Sequence, residues 1–140
     1  MNDFFVEETS ESVTLLKTIP GGRELIDWFS GAPDFCNAEI VGLYLDRSGA
    51  GSLVIEIRRL SGVARITFIL GHWIDVHLMG FSHQNVIGGL TLRRVTESEI
   101  ARWETSVGVI PGDTEIVLEP RYGANGIIRA TVLGVMVEGA

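Results

Sequence analysis

The sequence lacks most of the features that direct a protein to an oxidising compartment or a membrane. It contains a single cysteine, Cys36, which cannot form a disulfide within the chain, so a reducing compartment is expected. No apolar run reaches the length of about 18 residues that a membrane-spanning helix requires. The N-terminus is acidic where a signal peptide would be basic. We therefore expect a cytoplasmic protein.

Basic residues are also scarce. The 140-residue chain carries 11 lysines and arginines against 18 acidic residues, which gives a formal net charge of −7. Nonspecific binding to nucleic acid or to an anionic membrane needs a basic surface, so this balance argues against both kinds of partner. The length and the apolar fraction of 46% indicate one globular domain, with neither a disordered tail nor a coiled coil.

The beginning of the chain predicts helical structure. Residues 1–20 form an acidic segment with scattered apolar residues, which predicts either a short helix or a segment that pairs with the edge of the domain. A Pro-Gly-Gly turn then leads into the β-rich domain, residues 22–140. Apolar residues recur every three or four positions from Arg23 to Ser30, a pattern that predicts an amphipathic helix. Gly31 is the expected C-terminal cap of that helix.

From residue 39 onwards, apolar and polar residues alternate, which predicts β-strands with one buried face. The gaps between the apolar runs are too short for crossover helices, so neighbouring strands are expected to be antiparallel. The runs lie at 41–45, 53–57, 66–70, 74–78, 90–92, 116–118, 128 and 132–137.

One further helix is expected from Glu97 to about Thr105, because Thr96 and Glu99 form a capping box. The predicted fold is α+β and mainly antiparallel β, with about eight strands and two or three short helices. A curled sheet or a β-sandwich-like meander would give these amphipathic strands a common core.

Residues with catalytic or metal-binding potential are isolated in the sequence. His72, His77 and His83 have no companion cysteine or carboxylate at a ligand spacing. The first two are five residues apart, so on a regular strand they would point to opposite faces. Cys36 lacks the basic surroundings that activate a nucleophile, and a packed structural role is favoured for it.

Carboxylate pairs could carry acid–base chemistry. Asp75 could face Glu39 or Asp46 across neighbouring strands, but the sequence places no cleft that would hold a substrate between them. We therefore predict no catalytic residue, no metal and no cofactor.

Four polar residues follow Phe81 and interrupt the apolar pattern: Ser82, His83, Gln84 and Asn85. Such a cluster is either a functional loop or a turn whose side chains pair with backbone groups. The structural interpretation is favoured, with Phe81 anchored in the core. Asn85 is then expected to pair with two backbone groups across the chain reversal, because its amide carries both a donor and an acceptor.

Three segments resemble a known family. Phe81-Ser82-His83-Gln84-Asn85-Val86-Ile87 resembles the "F-x-H-Q-N-V-I" segment of the bacterial immunity protein 50 family, and residues 33–40 resemble its "P-x-F-H-D-A-E-I" segment. Residues 119–123 resemble a late "Y-G" turn. Cys36 stands where the family pattern has His, and Asn37 stands where it has Asp. The family-motif residues, expected to be mainly structural, are Phe35, Asn37, Glu39, Phe81, His83, Gln84, Asn85, Tyr122 and Gly123.

The resemblance implies a small protein that neutralises a cognate bacterial toxin by binding it, without catalysis. Its acidic charge suits a toxin with a basic active-site cleft, such as a nuclease, through electrostatic steering. The alternative is a small-molecule-binding domain or a small enzyme with a pocket near Trp73, His77 and His83. A homodimer joined by sheet edges is a further alternative, because an open meander leaves edges that need cover.

Overall fold

The computed structural model describes residues 3–60, 62–96 and 113–139, with the side chains of 3–10 and of Trp73 excepted. The helix predicted from Glu97 to Thr105 lies outside the described residues. No helix within the described ranges is long and apolar enough to cross a membrane. The helices are α1 (Asp3–Thr18) and α2 (Gly22–Phe29), and the strands are β1 (Glu39–Leu45), β2 (Gly51–Arg59), β3 (Gly62–Met79), β4 (Val86–Arg94), β5 (Thr114–Tyr122) and β6 (Asn125–Gly139).

The strands form one antiparallel sheet that curls until its two edges meet. Their order around the resulting barrel is β1-β2-β3-β6-β5-β4. The contact between β1 and β4 that closes the barrel is short, with Glu39 opposite Val86 as the paired position in the described residues. The prediction of an α+β, mainly antiparallel fold is confirmed, and the curled sheet is the form that it takes.

The alternation in the sequence separates the inside of the barrel from its outside. In β2, for example, Leu53, Ile55 and Ile57 are buried, while the residues between them are only partly buried. Each large side chain moved from water into such a core stabilises the fold by about 1.5–3 kcal/mol. The largest fully buried side chains are Phe68, Leu16, Leu25, Leu53, Ile55, Ile66, Leu70, Ile87, Leu92, Ile116, Leu118 and Ile128.

The described residues contain six strands, where about eight were expected for the whole chain. The runs at 66–70 and 74–78 belong to the single strand β3, and the runs at 128 and 132–137 belong to β6. The β3–β6 register shifts twice, between Ile69 and Leu70 and again between Gly71 and Asp75. His72 lies in the second irregularity with φ 60°. The strict alternation assumed for His72 and His77 therefore does not hold.

Helix α1 protects the edge of β4. The backbone N–H of Leu92 donates to the Ser12 hydroxyl at 2.9 Å, and that hydroxyl lies 3.3 Å from the Leu92 carbonyl oxygen. Leu15 and Leu16, on the same helix, are buried in the core. Both interpretations of the N-terminal segment therefore apply in part, because it is a helix and it also binds a sheet edge.

Helix α2 forms where the three- and four-residue spacing predicted it, and Leu25 is its fully buried residue. Its cap differs from the prediction. Ser30, at φ 60°, adopts the left-handed conformation that was expected of Gly31. The N–H of Ser30 donates to Asp27 and the N–H of Gly31 donates to Ile26, so two terminal carbonyl groups are satisfied.

Candidate functional site

The two longer family-like segments lie against each other at the barrel closure. The backbone N–H of Asn37 donates to the Ile87 carbonyl at 3.0 Å, and the N–H of Ile87 donates to the Ala38 carbonyl at 2.9 Å. The N–H of Ile40 donates to the Asn85 carbonyl at 2.8 Å. These backbone hydrogen bonds join residues almost fifty positions apart in sequence. The segments that carry the resemblance therefore build one place in the fold.

Asn85 fixes the loop between β3 and β4. Its side-chain oxygen accepts the backbone N–H of Ser82 at 3.0 Å and that of Ala124 at 2.9 Å. Its side-chain amide donates to the Ser82 carbonyl at 3.0 Å. The predicted pairing of Asn85 with backbone groups is confirmed. The bond to Ala124 adds a connection that the sequence did not reveal, because it reaches the turn between β5 and β6.

Gly123 allows the turn between β5 and β6 to pack closely against the loop between β3 and β4. Its φ of +89° lies in the left-handed region that favours glycine. A Cβ at this position would overlap the Asn85 side-chain oxygen and the backbone carbonyl of Gln84. The late "Y-G" segment therefore joins the same site through close backbone packing.

Four exposed side chains lie in or next to the joined loop and turn, and we name them the junction surface: Met79, Phe81, His83 and Tyr122. Phe81 is 58% exposed and Tyr122 is 50% exposed. The His83 and Tyr122 rings meet edge to face with their centroids 6.4 Å apart. The expectation that Phe81 anchors the loop in the core was wrong, because the loop is held by Asn85 and leaves this ring in solvent.

A groove with a volume of about 540 Å³ lies beside the junction surface. Glu39 and Glu56 lie opposite each other in the β1–β2 register and both line it. Glu56 makes ion pairs with Arg58 at 3.3 Å and Arg65 at 3.5 Å. Glu39 makes no ion pair with a described residue. The other residues lining the groove are Cys36, Asn37, Ile57, Arg58, Gln84 and Val86.

Phe35 and Cys36 are adjacent in the motif but lie in different environments. Phe35 is buried, with its ring centroid 5.4 Å from that of Phe29 and 6.3 Å from that of Phe68. The Cys36 thiol is exposed, so the packed structural role favoured for it was wrong. Of the nine family-motif residues, Phe35 has a core role, and the other eight lie at or around the junction.

Two of the residues considered for a pocket, His77 and His83, have different partners in the structure. The His77 ring nitrogen Nε2 lies 3.0 Å from an Asp75 carboxylate oxygen, whereas His83 lies beside Tyr122 in the junction surface. The Trp73 side chain is outside the described set. A separate cavity of about 410 Å³ is lined by His72 together with Ile74 and residues 45–49.

Sequence analysis missed a network of charged side chains that crosses strands β3 to β6. The Arg129 guanidinium bonds to Glu115 and to Asp75, at 3.0 Å in each case. Arg93 bonds to the other Glu115 oxygen, and His77 bonds to Asp75. Glu115 is 2% exposed and Arg129 is 7% exposed. Asp75 therefore pairs with Arg129 and His77, and not with Glu39 or Asp46, the carboxylates that the sequence allowed it to face.

The sequence indicated that buried charges were present, but it did not identify their partners. Arg129 and Glu115 each stand beside isoleucine in a strongly apolar strand, where a buried charge requires a partner. The partner could not be identified from sequence, because Asp75, Glu115 and Arg129 come from three different strands. The network satisfies buried charge, and every buried side-chain N or O atom among the described residues has a hydrogen-bond partner.

The described residues contain no group of three or more histidine, cysteine or acidic side chains placed to hold a metal ion. Comparison of the chain with protein-family models, with curated proteins and with solved structures found no match. The features that bear on function are therefore the junction surface, the adjacent groove and the resemblance of the segments that form them.

Proposed function

We propose that this protein is a non-catalytic binding protein that neutralises a cognate bacterial toxin by direct contact through the junction surface. One observation carries the proposal. Three segments that resemble an immunity family meet at one place in the fold, and two of them supply the exposed rings of Phe81 and Tyr122, which present half or more of their surface to solvent. Exposed aromatic side chains on a well-ordered scaffold are typical centres of protein–protein interfaces.

The scaffold under this surface supports binding with little loss of conformational freedom. Asn85 makes three hydrogen bonds to the backbone of the loop and of the neighbouring turn. Backbone hydrogen bonds at the barrel closure hold the other side of the same loop. A surface that is already ordered does not have to be ordered on association, and this lowers the free-energy cost of binding.

Charge favours a basic partner. The whole chain carries a net charge of −7, and Glu39 contributes a carboxylate to the groove without an ion pair to a described residue. A toxin with a basic cleft would be drawn toward this side of the molecule by long-range attraction. Salt weakens such attraction beyond about 8–10 Å at physiological ionic strength, so association should slow as salt is added.

The test uses a toxin module encoded beside this protein. Co-expression should restore growth, and the two purified proteins should elute together from a size-exclusion column. Phe81→Ala and Tyr122→Ala should each weaken the complex by more than about tenfold, because truncation of an interface aromatic commonly removes a large share of the affinity.

Leu133→Ala and Met136→Ala are matched controls. Both side chains are apolar and about as exposed as Tyr122, but they lie on β6 away from the junction. They should leave the affinity unchanged. Growth arrest despite co-expression, with no complex on the column, would reject this toxin as the partner. If the control variants weaken the complex as much as Phe81→Ala does, the toxin does not bind through the junction surface.

A further inference from the structure

The outer edge of β1 is largely unpaired within the described residues. Beyond its short contact with β4, the outer edge of β1 from Val41 to Leu45 has no strand against it in the described part of the chain. The edge of β4 differs, because Ser12 of α1 bonds to both backbone groups of Leu92. Unpaired strand edges bind other strands readily, and proteins commonly protect them with charge, proline or a cover.

The regular part of this edge is protected neither by charge nor by proline. No charged residue and no proline occurs from Ile40 to Leu45. A register shift lies between Ile40 and Gly42, so Gly42 to Leu45 is the regular part of the edge. Three apolar side chains here are exposed, with Tyr44 at 61% the most exposed of them; the others are Val41 and Leu45.

The backbone groups that face outward can be assigned from the turn that follows. The N–H of Asp46 donates to the Ala50 carbonyl at 2.8 Å, and Tyr44 lies opposite Ser52 in the same register. Hydrogen-bonded positions alternate along an antiparallel strand, so Tyr44 directs its backbone groups toward β2. Leu43 and Leu45 therefore direct their N–H and C=O groups to the open edge.

We propose that a second copy of this chain occupies that edge, and that the two β1 strands pair antiparallel about Tyr44. In this register Leu43 of each copy lies opposite Leu45 of the other, so the outward groups of both residues are paired in both copies. The two Tyr44 side chains face each other at a non-hydrogen-bonded position, where cross-strand side chains lie closest.

Charge is compatible with this pairing. Each copy carries a net charge of −7, but the paired residues Leu43, Tyr44 and Leu45 are neutral. The nearest charge is that of Asp46, whose carboxylate lies 3.4 Å from the hydroxyl of Tyr44 in the same copy. The long-range repulsion between the copies is screened by salt. Dimerisation should therefore strengthen as salt is added, which is the opposite of the salt effect expected for the toxin complex. The dimer does not depend on the proposed function.

Sedimentation velocity over a wide range of protein concentration tests the dimer in the absence of any toxin. The wild-type protein should change from monomer to dimer as concentration rises. Tyr44→Lys should weaken association by at least about tenfold, because two like charges then lie directly opposite each other. Met136→Lys is the matched control, since this exposed side chain lies opposite Thr67 of β3 on β6, a strand that does not neighbour β1.

A cross-link tests the register itself. Opposed non-hydrogen-bonded positions of antiparallel strands lie within disulfide range, so Tyr44→Cys in a Cys36→Ser background should form a covalent dimer under mild oxidation. Met136→Cys in the same background should not. A wild-type protein that stays monomeric at every concentration overturns the proposal. A dimer that Tyr44→Lys leaves intact, or that the Tyr44→Cys variant fails to cross-link, overturns this interface.

Discussion

The side-chain oxygen of Asn85 accepts the backbone N–H of Ala124 at 2.9 Å, and so joins the β3–β4 loop to the β5–β6 turn. The two residues are 39 positions apart in sequence. The same oxygen also accepts the N–H of Ser82. A single amide therefore holds two surface loops in one arrangement, and the exposed side chains around them depend on it.

Asn85→Ala should lower the free energy of unfolding by about 1–3 kcal/mol, since it removes the partners of backbone groups at a partly buried position. Ser82→Ala should change it little, because Asn85 bonds to the backbone of Ser82 and not to its hydroxyl. Thermal melts of both variants check this. An unchanged melt for Asn85→Ala, together with lost toxin binding, would show that the residue acts in the interface and not in the fold.

Gly123→Ala should destabilise the fold by more than about 1 kcal/mol, because the new methyl group meets Asn85 and the backbone conformation is unfavourable for alanine. Gly89→Ala is the control. A Cβ at Gly89 would lie 3.9 Å from the nearest atom, which is on the Glu119 side chain. Urea denaturation of the two variants measures the difference, and equal stabilities would contradict the tight approach at Gly123.

Arg129→Ala should be among the most damaging single changes, at about 3–5 kcal/mol, because it leaves the buried Glu115 and the partly buried Asp75 without this guanidinium. Arg65→Ala is the matched control, since Arg65 is largely exposed and pairs with Glu56 at 3.5 Å. An exposed ion pair of this kind contributes less than about 1 kcal/mol. Similar unfolding free energies for the two variants would show that the buried network does not stabilise the barrel.

Ser12→Ala should expose the edge of β4. The backbone N–H of Leu92 would lose its acceptor, and stability should fall by about 1 kcal/mol. Thr14→Ala, an exposed position on the same helix, should change little. Amide hydrogen exchange followed by NMR gives a local measurement, because the Leu92 amide should exchange faster in the Ser12 variant alone. Equal protection in both variants would mean that the hydroxyl does not protect this edge.

The class of fold was predictable because it depends on a local pattern. Buried residues such as Leu53 and Ile55 alternate with partly buried ones along β2, and this alternation is visible in the sequence. The number of strands was harder to predict from the sequence. The chain passes Gly71 and His72 with a shifted register and continues as the same strand, and no residue type specifies that outcome over a turn.

The candidate site was predictable only in part. The hydrogen-bonding capacity of Asn85 follows from its chemistry, but its partner at Ala124 depends on which turn the barrel places beside it. The position of Phe81 could not be predicted from its residue type either. An apolar ring is usually expected in a core, whereas the position of this one is set by a loop that other residues hold. Arg129 and its two carboxylates required the tertiary structure for the same reason.

The contact between Ser12 and Leu92 has a consequence for the order of events during synthesis. The two residues are 80 positions apart, so α1 leaves the ribosome well before the strand that it covers. At roughly 5–20 residues per second, this interval lasts several seconds. Throughout it, the apolar side of α1 that carries Leu15 and Leu16 has no completed barrel to cover. Helix α1 is thus finished well before the strand edge that it protects, and its contact with Leu92 can form only after β4 has been made.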